Sequence, residues 1–334
     1  MRRAIALILL ILPLLTRAMP FGVMPVGVMP KPSGMEMVRE RIIHRLMEET
    51  VSEDRISTLI HTLRNDGSWP GIDYVDTSRT GFQHSEHMSN LVSMSRAYRK
   101  EGSAFFESKS LKTAFDKALN YWLEEDFICA NWWWNQIGIP GRLVEIMLIM
   151  GKDNFTPEQW EGCFQVAGRA NLEASGARPS GDRIVIAGIL AKQLLANDDS
   201  DGFDKVIGVI EGEIKFSTER GMQYDYSFHH RKDRVNNTLS YGSSYAGAFS
   251  EWAAYVAGTS YSFSDSALHQ LIDYYLDGIC KMMPFGKYPD PGAKNRSISR
   301  SGALRAAGPG VPERLLMASS YREDELKKIV AARY

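Results

Sequence analysis

Apolar residues recur along most of the chain at the spacing of an amphipathic α-helix. Between Leu111 and Trp122 they occupy positions i, i+3, i+4, i+7, i+8 and i+11. This period of about 3.6 residues places all of them on one helical face. Comparable apolar stretches lie at residues 38–47, 56–63, 143–150, 184–195, 206–214, 245–256 and 268–279. We therefore expect helices almost throughout the chain from residue 36.

Polar residues, prolines and glycines mark where these helices begin and end. Thr156, Pro157 and Gln159 have the spacing of a helix N-cap, a first-turn proline and a capping-box partner. Loops containing Asp-Gly, Gly-Ile-Pro and Pro-Asp-Pro-Gly separate other apolar stretches, and strand-like alternation is scarce. The sequence predicts an all-α domain of consecutive antiparallel hairpins. The pattern leaves open whether they stack as a solenoid or curl into a toroid.

The overall composition limits the classes of ligand. The chain has 39 basic and 40 acidic residues, a formal net charge of -1, which does not give the positive field of a nucleic-acid-binding protein. A polyanion would therefore need a local basic cluster. The three cysteines, Cys129, Cys163 and Cys280, are far apart and show no metal-ligand spacing. We expect buried free thiols, with one disulfide as the alternative.

The first residues have the layout of a secretory signal peptide. Arg2 and Arg3 are followed by an apolar run and then by the small residue Ala18. The run is shorter than the about 20 residues that a membrane-spanning helix needs. We expect residues 1–18 to be a signal peptide and residues 19–35, rich in Met, Pro and Gly, to be a flexible leader. A membrane anchor or a misassigned start codon is the alternative.

Polar and aromatic residues are concentrated in four segments between the helices: residues 131–135, 175–183, 223–241 and 295–300. The first contains Trp132, Trp133 and Trp134, flanked by Asn131 and Asn135. Adjacent helical positions point about 100° apart, so at least one ring should be exposed or line a cleft. Aromatic faces stack on sugar rings and amides bind hydroxyls, which favours a carbohydrate-binding cleft. The alternative is that two rings pack in the core and the third is incidental.

Histidine and tyrosine side chains in the third segment are candidates for proton transfer. His229 and His230 are adjacent, and Tyr241 ends the segment. Either residue type can accept or donate a proton when neighbouring groups shift its pKa. The carboxylate that would complete a zinc site at helical spacing is missing, so we expect neither a metal nor another cofactor.

Two arginines in the fourth segment, Arg296 and Arg300, are four residues apart. They share a face whether the segment is helical or extended. Two converging guanidinium groups suit a carboxylate or a sulfate, which they bind through paired hydrogen bonds. Taken alone, such a pair is more often a solvated basic loop.

In chain order, these segments resemble the polysaccharide lyase family that includes chondroitin AC, hyaluronan and xanthan lyases. The resemblance covers about residues 40 to 305. Its motifs are Asp66-Gly67-Ser68-Trp69, Tyr121-Trp122, residues 131–140, residues 223–228, Ser240-Tyr241-Gly242 and Arg296-Ser297-Ile298-Ser299-Arg300. Each motif is weak by itself, whereas the ordered set is fairly specific.

The resemblance implies an incomplete (α/α) toroid with an acidic polysaccharide in a cleft across its face. It also implies β-elimination at a uronic acid, which removes the C5 proton, breaks the C4–O bond and leaves an unsaturated uronide. By position, Tyr241 corresponds to the family's base and acid. His230 corresponds to its histidine, with His229 as the alternative, and Arg296 and Arg300 correspond to its arginine pair. The tryptophans 132–134 and Asn135 correspond to the aromatic patch and amide of the substrate cleft.

One residue departs from the family pattern. Asp182 stands where the family places an asparagine against the substrate carboxylate. An ionised aspartate would repel a uronate. Three explanations stay open: Asp182 is protonated, Arg183 neutralises the substrate in its place, or the alignment in this segment is shifted.

The family usually continues into large β-sandwich domains, whereas this chain ends at Tyr334. We therefore expect the helical catalytic domain alone, over residues 36–334. A glycan-binding protein without catalysis is the first alternative. The second is an α/α-toroid glycoside hydrolase, for which Asp182 and Asp225 are the candidate carboxylates. The sequence does not predict the oligomeric state.

Overall fold

The protein is described from a computed structural model that covers residues 33–179, 181–232 and 234–334. The predicted signal peptide and almost all of the predicted leader lie outside these residues. The first helix begins at Gly34, just before the predicted end of the leader at residue 35. The side chain of Ser33 accepts a hydrogen bond from the Glu36 amide at 3.1 Å and so caps the helix.

The described residues are mainly helical, as predicted. The α-helices are α1 (Gly34–Met47), α2 (Glu53–Thr62), α3 (His84–Arg99), α4 (Lys109–Glu125), α5 (Ile139–Met150), α6 (Pro157–Ala167), α7 (Gly181–Ala196), α8 (Ser200–Gly212), α9 (Ser243–Val256), α10 (Asp265–Asp273), α11 (Gly310–Ala318) and α12 (Glu323–Arg333). π-Helical turns cover Trp134–Gly138, Thr238–Gly242 and Tyr274–Ile279. Short 3₁₀ turns cover Lys152–Asn154, Cys280–Met282, Pro284–Gly286, Pro291–Ala293 and Asn295–Ser299. Two antiparallel strands, β1 (Gly221–Met222) and β2 (Phe228–His229), form a small hairpin.

The helix signals read from the sequence correspond to observed contacts. In α4 the apolar face from Leu111 to Trp122 is buried. At the start of α6, the Thr156 side chain accepts from the Gln159 amide at 3.2 Å, and the Gln159 side chain accepts from the Thr156 amide at 3.0 Å. These reciprocal bonds form the predicted capping box, with Pro157 at the first helical position.

Successive hairpins place alternate helices side by side. Helix α5 packs against both α3 and α7, and α9 packs against both α7 and α11. The buried apolar residues form two clusters, and α5 and α7 contribute to both, so they connect the two halves of the core. This arrangement is the predicted incomplete (α/α) toroid.

Helix α1 packs at the C-terminal ends of two of these helices. Arg39 donates to the Leu195 carbonyl near the end of α7 at 2.7 Å. Arg41 donates to the carbonyls of Tyr255 and Ala257 at the end of α9, at 2.8 and 2.7 Å. Helix C-termini carry unpaired carbonyls and partial negative charge, so arginines stabilise them. The N-terminal ends of α7 and α9 lie at the opposite end of these helices, and the loops that precede the two helices lie there.

Cys129, Cys163 and Cys280 are buried free thiols, as expected.

Across residues 33–179, 181–232 and 234–334, no helix combines the length and apolar character required to cross a membrane.

The motif Asp66-Gly67-Ser68-Trp69 forms a tight turn. The Asp66 carboxylate accepts from the Ser68 amide and hydroxyl at 2.9 and 2.8 Å, and the buried Trp69 donates its indole N–H to the Leu59 carbonyl at 2.9 Å. Gly67 has φ +93°, and a Cβ there would lie 2.4 Å from the Lys117 carbonyl oxygen. The turn thus requires glycine and holds the α2–α3 connection against α4.

We predict that Gly67→Ala lowers the free energy of unfolding by about 2–4 kcal/mol, because it combines backbone strain with a backbone clash. Urea unfolding followed by circular dichroism measures this loss. Gly71→Ala is the matched control, since Gly71 has φ +86° and a Cβ added there would meet no atom within 4 Å. Equal losses in the two variants would show that the clash with Lys117 contributes nothing.

Candidate active site

Three of the four polar segments lie at the N-terminal ends of neighbouring helices. The π-helical turn Trp134–Gly138 leads into α5, Asp182 lies in the first turn of α7, and the π-helical turn Thr238–Gly242 leads into α9. π-Helical turns occur frequently at functional sites. The N-terminal ends of helices also carry exposed N–H groups and partial positive charge, which favours an anionic ligand here.

Side-chain contacts connect the four segments into one surface. Gln136 donates to the Ser175 hydroxyl at 3.0 Å and accepts from the Gly176 amide at 2.8 Å, which joins the first segment to the second. Arg220 lies 3.7 Å from the Asp182 carboxylate and so ties the second segment to the β-hairpin. Arg296 donates to the hydroxyl of Tyr241, which joins the fourth segment to the third.

Tyr241 is the centre of the most compact group. Its ring stacks on that of His230, with ring centroids 3.5 Å apart and planes 2° from parallel. The Arg296 guanidinium bonds the phenol oxygen, and its carbon lies 5.4 Å from the ring centroid. The group borders a cavity of about 150 Å³, which Asn237 and Asn295 also line. The cavity therefore has two titratable side chains and a cation on its walls.

The two histidines have different environments. His229 belongs to β2 and is buried, and its Nε2 lies 3.3 Å from the Ser227 hydroxyl. Ser227 in turn donates to Asp225 at 2.7 Å. His230 faces Tyr241 instead. The geometry thus places His230 in the cavity and His229 in a hydrogen-bonded support for the hairpin.

His230 is held in its neutral form. Burial lowers its pKa, and the nearby cations Arg220, Arg231, Arg296 and Arg178 lower it further, to about 4. A depressed histidine pKa means that the imidazole is uncharged at neutral pH and becomes protonated only in acid. The same four arginines make this part of the surface the local basic cluster that a polyanionic ligand requires.

Asp182 and Arg183 point to different partners. Burial raises the pKa of Asp182, while the charges of Arg220 and Arg178 oppose that rise. The Arg183 guanidinium lies 3.6 Å from the buried carboxylate of Glu213. Arg220, and not Arg183, is therefore the cation paired with Asp182.

The three tryptophans separate as helical geometry requires. Trp133 is the exposed ring, at 41%, whereas Trp132 and Trp134 are partly buried against the core. The Arg178 guanidinium lies 5.5 Å from the Trp132 ring centroid. Asn135 directs its amide at the backbone of Cys129, accepting from the N–H at 2.9 Å and donating to the carbonyl at 2.8 Å. Asn135 thus holds the loop that presents the rings.

Arg300 differs from Arg296. It is exposed, and no described residue forms an ion pair or side-chain hydrogen bond with its guanidinium. Asn295, just before the arginine segment, has φ +51°, and its side chain accepts a 2.5 Å hydrogen bond from the Arg296 amide. This turn directs Arg296 to Tyr241 and leaves Arg300 at the surface.

Sequence comparison places this chain in a known family. The profile of polysaccharide lyase family 8, N-terminal alpha-helical domain, matches residues 40–329. The chain belongs to this family. Members of the family are carbon–oxygen lyases that act on polysaccharides.

Individual relatives agree with the family 8 assignment. The chain is 25% identical over 273 residues to chondroitinase-AC of Pedobacter heparinus, which covers 80% of this chain and 38% of that protein. It is similar in fold to a chondroitinase AC lyase whose structure was determined with oligosaccharides, with TM-score 0.82, 23% identity, and 90% and 45% coverage of the two chains. It is also similar to the Streptomyces coelicolor A3 chondroitin AC lyase in complex with chondroitin sulphate, with TM-score 0.69, 16% identity, and 87% and 44% coverage. The chain thus spans less than half the length of these relatives.

Three arginines near His230 in the candidate site were not singled out from the sequence. Arg178 and Arg231 lie inside the polar segments, and Arg220 lies just before β1. The only sequence signal for them was the expected need for a local basic cluster.

Within the parts of the chain that the structure describes, no group of three or more His, Cys, Asp or Glu residues is arranged to hold a metal ion.

Proposed function

We propose that this chain is the catalytic helical part of a lyase that cleaves a uronate-containing, glycosaminoglycan-like polysaccharide by β-elimination. The observation that carries the proposal is the group formed by Tyr241, His230 and Arg296 at the mouth of a cavity. The family match supports the reaction class, and the chondroitin sulphate bound to one structural relative supports the substrate class.

The chemical difficulty is the weak acidity of the C5 proton of a uronic acid. In the proposed reaction, the phenolate oxygen of Tyr241 takes this proton, and the C5–H electrons pass first into the adjacent carboxylate. They then form the C4=C5 double bond as the C4–O bond breaks, and the Tyr241 hydroxyl returns its proton to the leaving oxygen. Cations near the carboxylate stabilise the enolate-like intermediate.

Arg296 and His230 have separate parts in this scheme. The Arg296 guanidinium donates to the phenol oxygen and so stabilises the phenolate form of Tyr241, because a hydrogen bond from a cation favours the charged acceptor. His230 stays neutral at the pH of the reaction, since its pKa is about 4. It packs flat against Tyr241 and fixes the position of the base without adding charge.

The aspartate that replaces the family's asparagine is compatible with an acidic substrate. Asp182 lies 3.7 Å from Arg220, which offsets its charge. Burial also raises the pKa of Asp182 and so favours its protonated form. We assign to Arg220 the role of offsetting the charge of Asp182, because Arg183 is engaged with Glu213.

A panel of uronate polysaccharides tests the proposal. Chondroitin, hyaluronan and other uronate glycans are incubated with the folded protein, and the unsaturated product is followed by its near-ultraviolet absorbance. We expect the absorbance to rise with at least one glycan. No rise across the panel contradicts the proposed lyase. Binding without turnover would indicate a non-catalytic glycan-binding protein, and reducing ends without absorbance would indicate a hydrolase.

We also propose that residues 1–18 are removed on export and that residues 36–334 form the catalytic domain. The N-terminal layout of basic, apolar and small residues supports the first statement. N-terminal sequencing of the exported protein tests it, because an intact Met1 on that protein contradicts cleavage.

A further inference from the structure

A second π-helical turn lies behind the one that carries Tyr241. The turn Tyr274–Ile279 follows α10 and contacts the turn Thr238–Gly242, which leads into α9. π-Helical turns are rare and occur frequently at functional sites. Contact between two of them, one of which holds the candidate base, indicates that the second also serves the site.

Gly242 is the point at which the two turns meet. It is buried and comes directly after Tyr241. Its backbone has φ -65° and ψ -40°, ordinary right-handed helical values that any residue adopts. A Cβ at this position would nevertheless lie 2.4 Å from the hydroxyl oxygen of Tyr274 and 2.8 Å from the Cβ of Phe228. Glycine is therefore required by the space that these two side chains occupy, and not by the backbone conformation.

The Tyr274 side chain is fully buried, with an exposed fraction of 0%. Its hydroxyl forms no hydrogen bond with any residue that the structure describes. Unpaired buried hydroxyls are rare in folded proteins, because burial without a partner destabilises the fold. The hydroxyl thus does not stabilise the protein by hydrogen bonding, and its contact with the glycine beside the base offers another reason for its presence.

Two arginines near the C-terminus hold the second turn in place. Arg322, just before α12, donates to the carboxylates of Asp273 and Asp277 at 2.8 and 2.5 Å. The buried Arg333, within α12, donates to the hydroxyl of Tyr275 at 2.6 Å. These bonds act on both sides of the contact residue and within the turn itself. The second turn is therefore a fixed wall, and any displacement at the contact moves the turn that carries the base.

Phe228 bounds the turn Thr238–Gly242 on its other side. The Phe228 amide donates to the Thr238 hydroxyl at 2.9 Å, and the Phe228 carbonyl accepts from the Asn237 amide at 2.8 Å. The turn is thus enclosed between the β-hairpin and Tyr274. A small displacement of it would move the phenol of the base away from its arginine.

We propose that Tyr274 is a positioning residue for Tyr241. Its hydroxyl lies against Gly242 and so determines where the π-helical turn holds the phenol oxygen relative to Arg296. The inference rests on the proposed function, since it concerns the base of the elimination. Because Tyr274 is fully buried, it does not touch the substrate and acts only through the position of the base.

Two substitutions test the contact in the full chain. Gly242→Ala adds a methyl group that meets the Tyr274 hydroxyl, so the turn must shift. We expect kcat to fall about 30- to 100-fold with KM nearly unchanged. Tyr274→Phe removes the atom that the methyl group meets, and the space it leaves also relieves the contact with Phe228. The double variant Gly242→Ala/Tyr274→Phe is therefore expected to regain at least about tenfold in kcat over Gly242→Ala.

Gly247→Ala is the matched control. It makes the same change on α9, where an added Cβ would meet no atom within 4 Å. It should leave both kcat and KM unchanged. A loss equal to that of Gly242→Ala would contradict the proposal, because it would show that any alanine on α9 disturbs the base.

Tyr274→Phe alone separates positioning from support of the fold, and it carries the test if Gly242→Ala does not fold. The variant loses an unpaired hydroxyl, so its urea midpoint should stay the same or rise. Its kcat should fall about 3- to 10-fold, because the turn is no longer held on this side. A lower midpoint with unchanged kcat would show a purely structural residue and overturn the proposal.

Titration of Tyr241 gives a readout that does not need turnover. The ζ-carbons of the 14 tyrosines are labelled with ¹³C, and Tyr241→Phe assigns the signal of the base by NMR. Displacement from Arg296 makes the phenolate less stable, so in Gly242→Ala the signal should titrate at higher pH. The double variant should return towards the original titration. His230 and Arg231, which also border this cavity, are the same in every variant.

Two further results would overturn the role of Tyr274. One is a Tyr241 titration that is identical in Gly242→Ala and in the unchanged protein. The other is a double variant that recovers neither activity nor titration. If no glycan of the panel is cleaved, the lyase proposal fails, while the titration still decides whether Tyr274 positions Tyr241. The two failures are thus observed separately.

Discussion

Tyr241→Phe is expected to lower kcat for elimination by about 10³–10⁴-fold, because it removes the group that both accepts the C5 proton and protonates the leaving oxygen. The phenyl ring retains the stack on His230, so substrate binding and KM should change little. Initial rates of near-ultraviolet absorbance on the best substrate of the panel measure the effect. A variant that keeps a tenth or more of the activity would place the base elsewhere.

Tyr288→Phe is the matched control for this loss. Tyr288 is half exposed, and its hydroxyl bonds no described residue, so its removal should leave kcat unchanged. Circular dichroism and the unfolding midpoint of both variants check that folding is preserved. A comparable loss in the two variants would point to a general effect of removing a tyrosine hydroxyl and not to proton transfer.

Much of the fold was predictable because helices depend on local signals. The apolar face of α4 and the capping box at Thr156 can be read within a few residues of sequence, and helix pairs joined by short loops form antiparallel hairpins. The closure of those hairpins into a toroid depends on contacts between distant helices, such as α1 with α9. The apolar pattern alone left solenoid and toroid open, and the family resemblance decided between them.

The sequence predicted which residue types form the candidate site. It did not predict which of these side chains contact one another. The basic cluster was expected without its members, because Arg178, Arg220 and Arg231 lie in three separate loops, before α7, before β1 and after β2, and come together near His230 only when these loops fold. The choice between His229 and His230 depends on the direction of each side chain at the end of β2, which contains His229 and stops before His230. The strands have two residues each, too few to display alternation in the sequence.

The ion pair of Asp182 was likewise not predictable from the sequence. The sequence left open that Arg183, next to Asp182, neutralises the substrate carboxylate, and it gave no signal for Arg220. Residues adjacent on a helix face directions about 100° apart. Arg183 is thereby turned to Glu213, while Arg220 reaches Asp182 from the hairpin.

The second large effect is expected for Arg296→Gln, which removes the cation from the Tyr241 hydroxyl while keeping a polar side chain. We expect kcat to fall by about 10²–10³-fold, in line with the loss of one charge-stabilising donor. The acidic limb of the pH–rate profile should also move to higher pH. Without the guanidinium the phenolate is less stable, so a higher pH is needed to form it.

Arg300→Gln separates this local effect from the loss of positive charge in general. It removes the same charge four residues away, from a guanidinium that forms no ion pair or side-chain hydrogen bond with a described residue. Arg300→Gln should therefore raise KM modestly and leave the pH profile in place. Added salt should weaken binding in both variants alike, since screening acts on the shared field. If Arg300→Gln moved the acidic limb as far as Arg296→Gln, the contact between Arg296 and Tyr241 would not control ionisation of the base, and the basic cluster as a whole would.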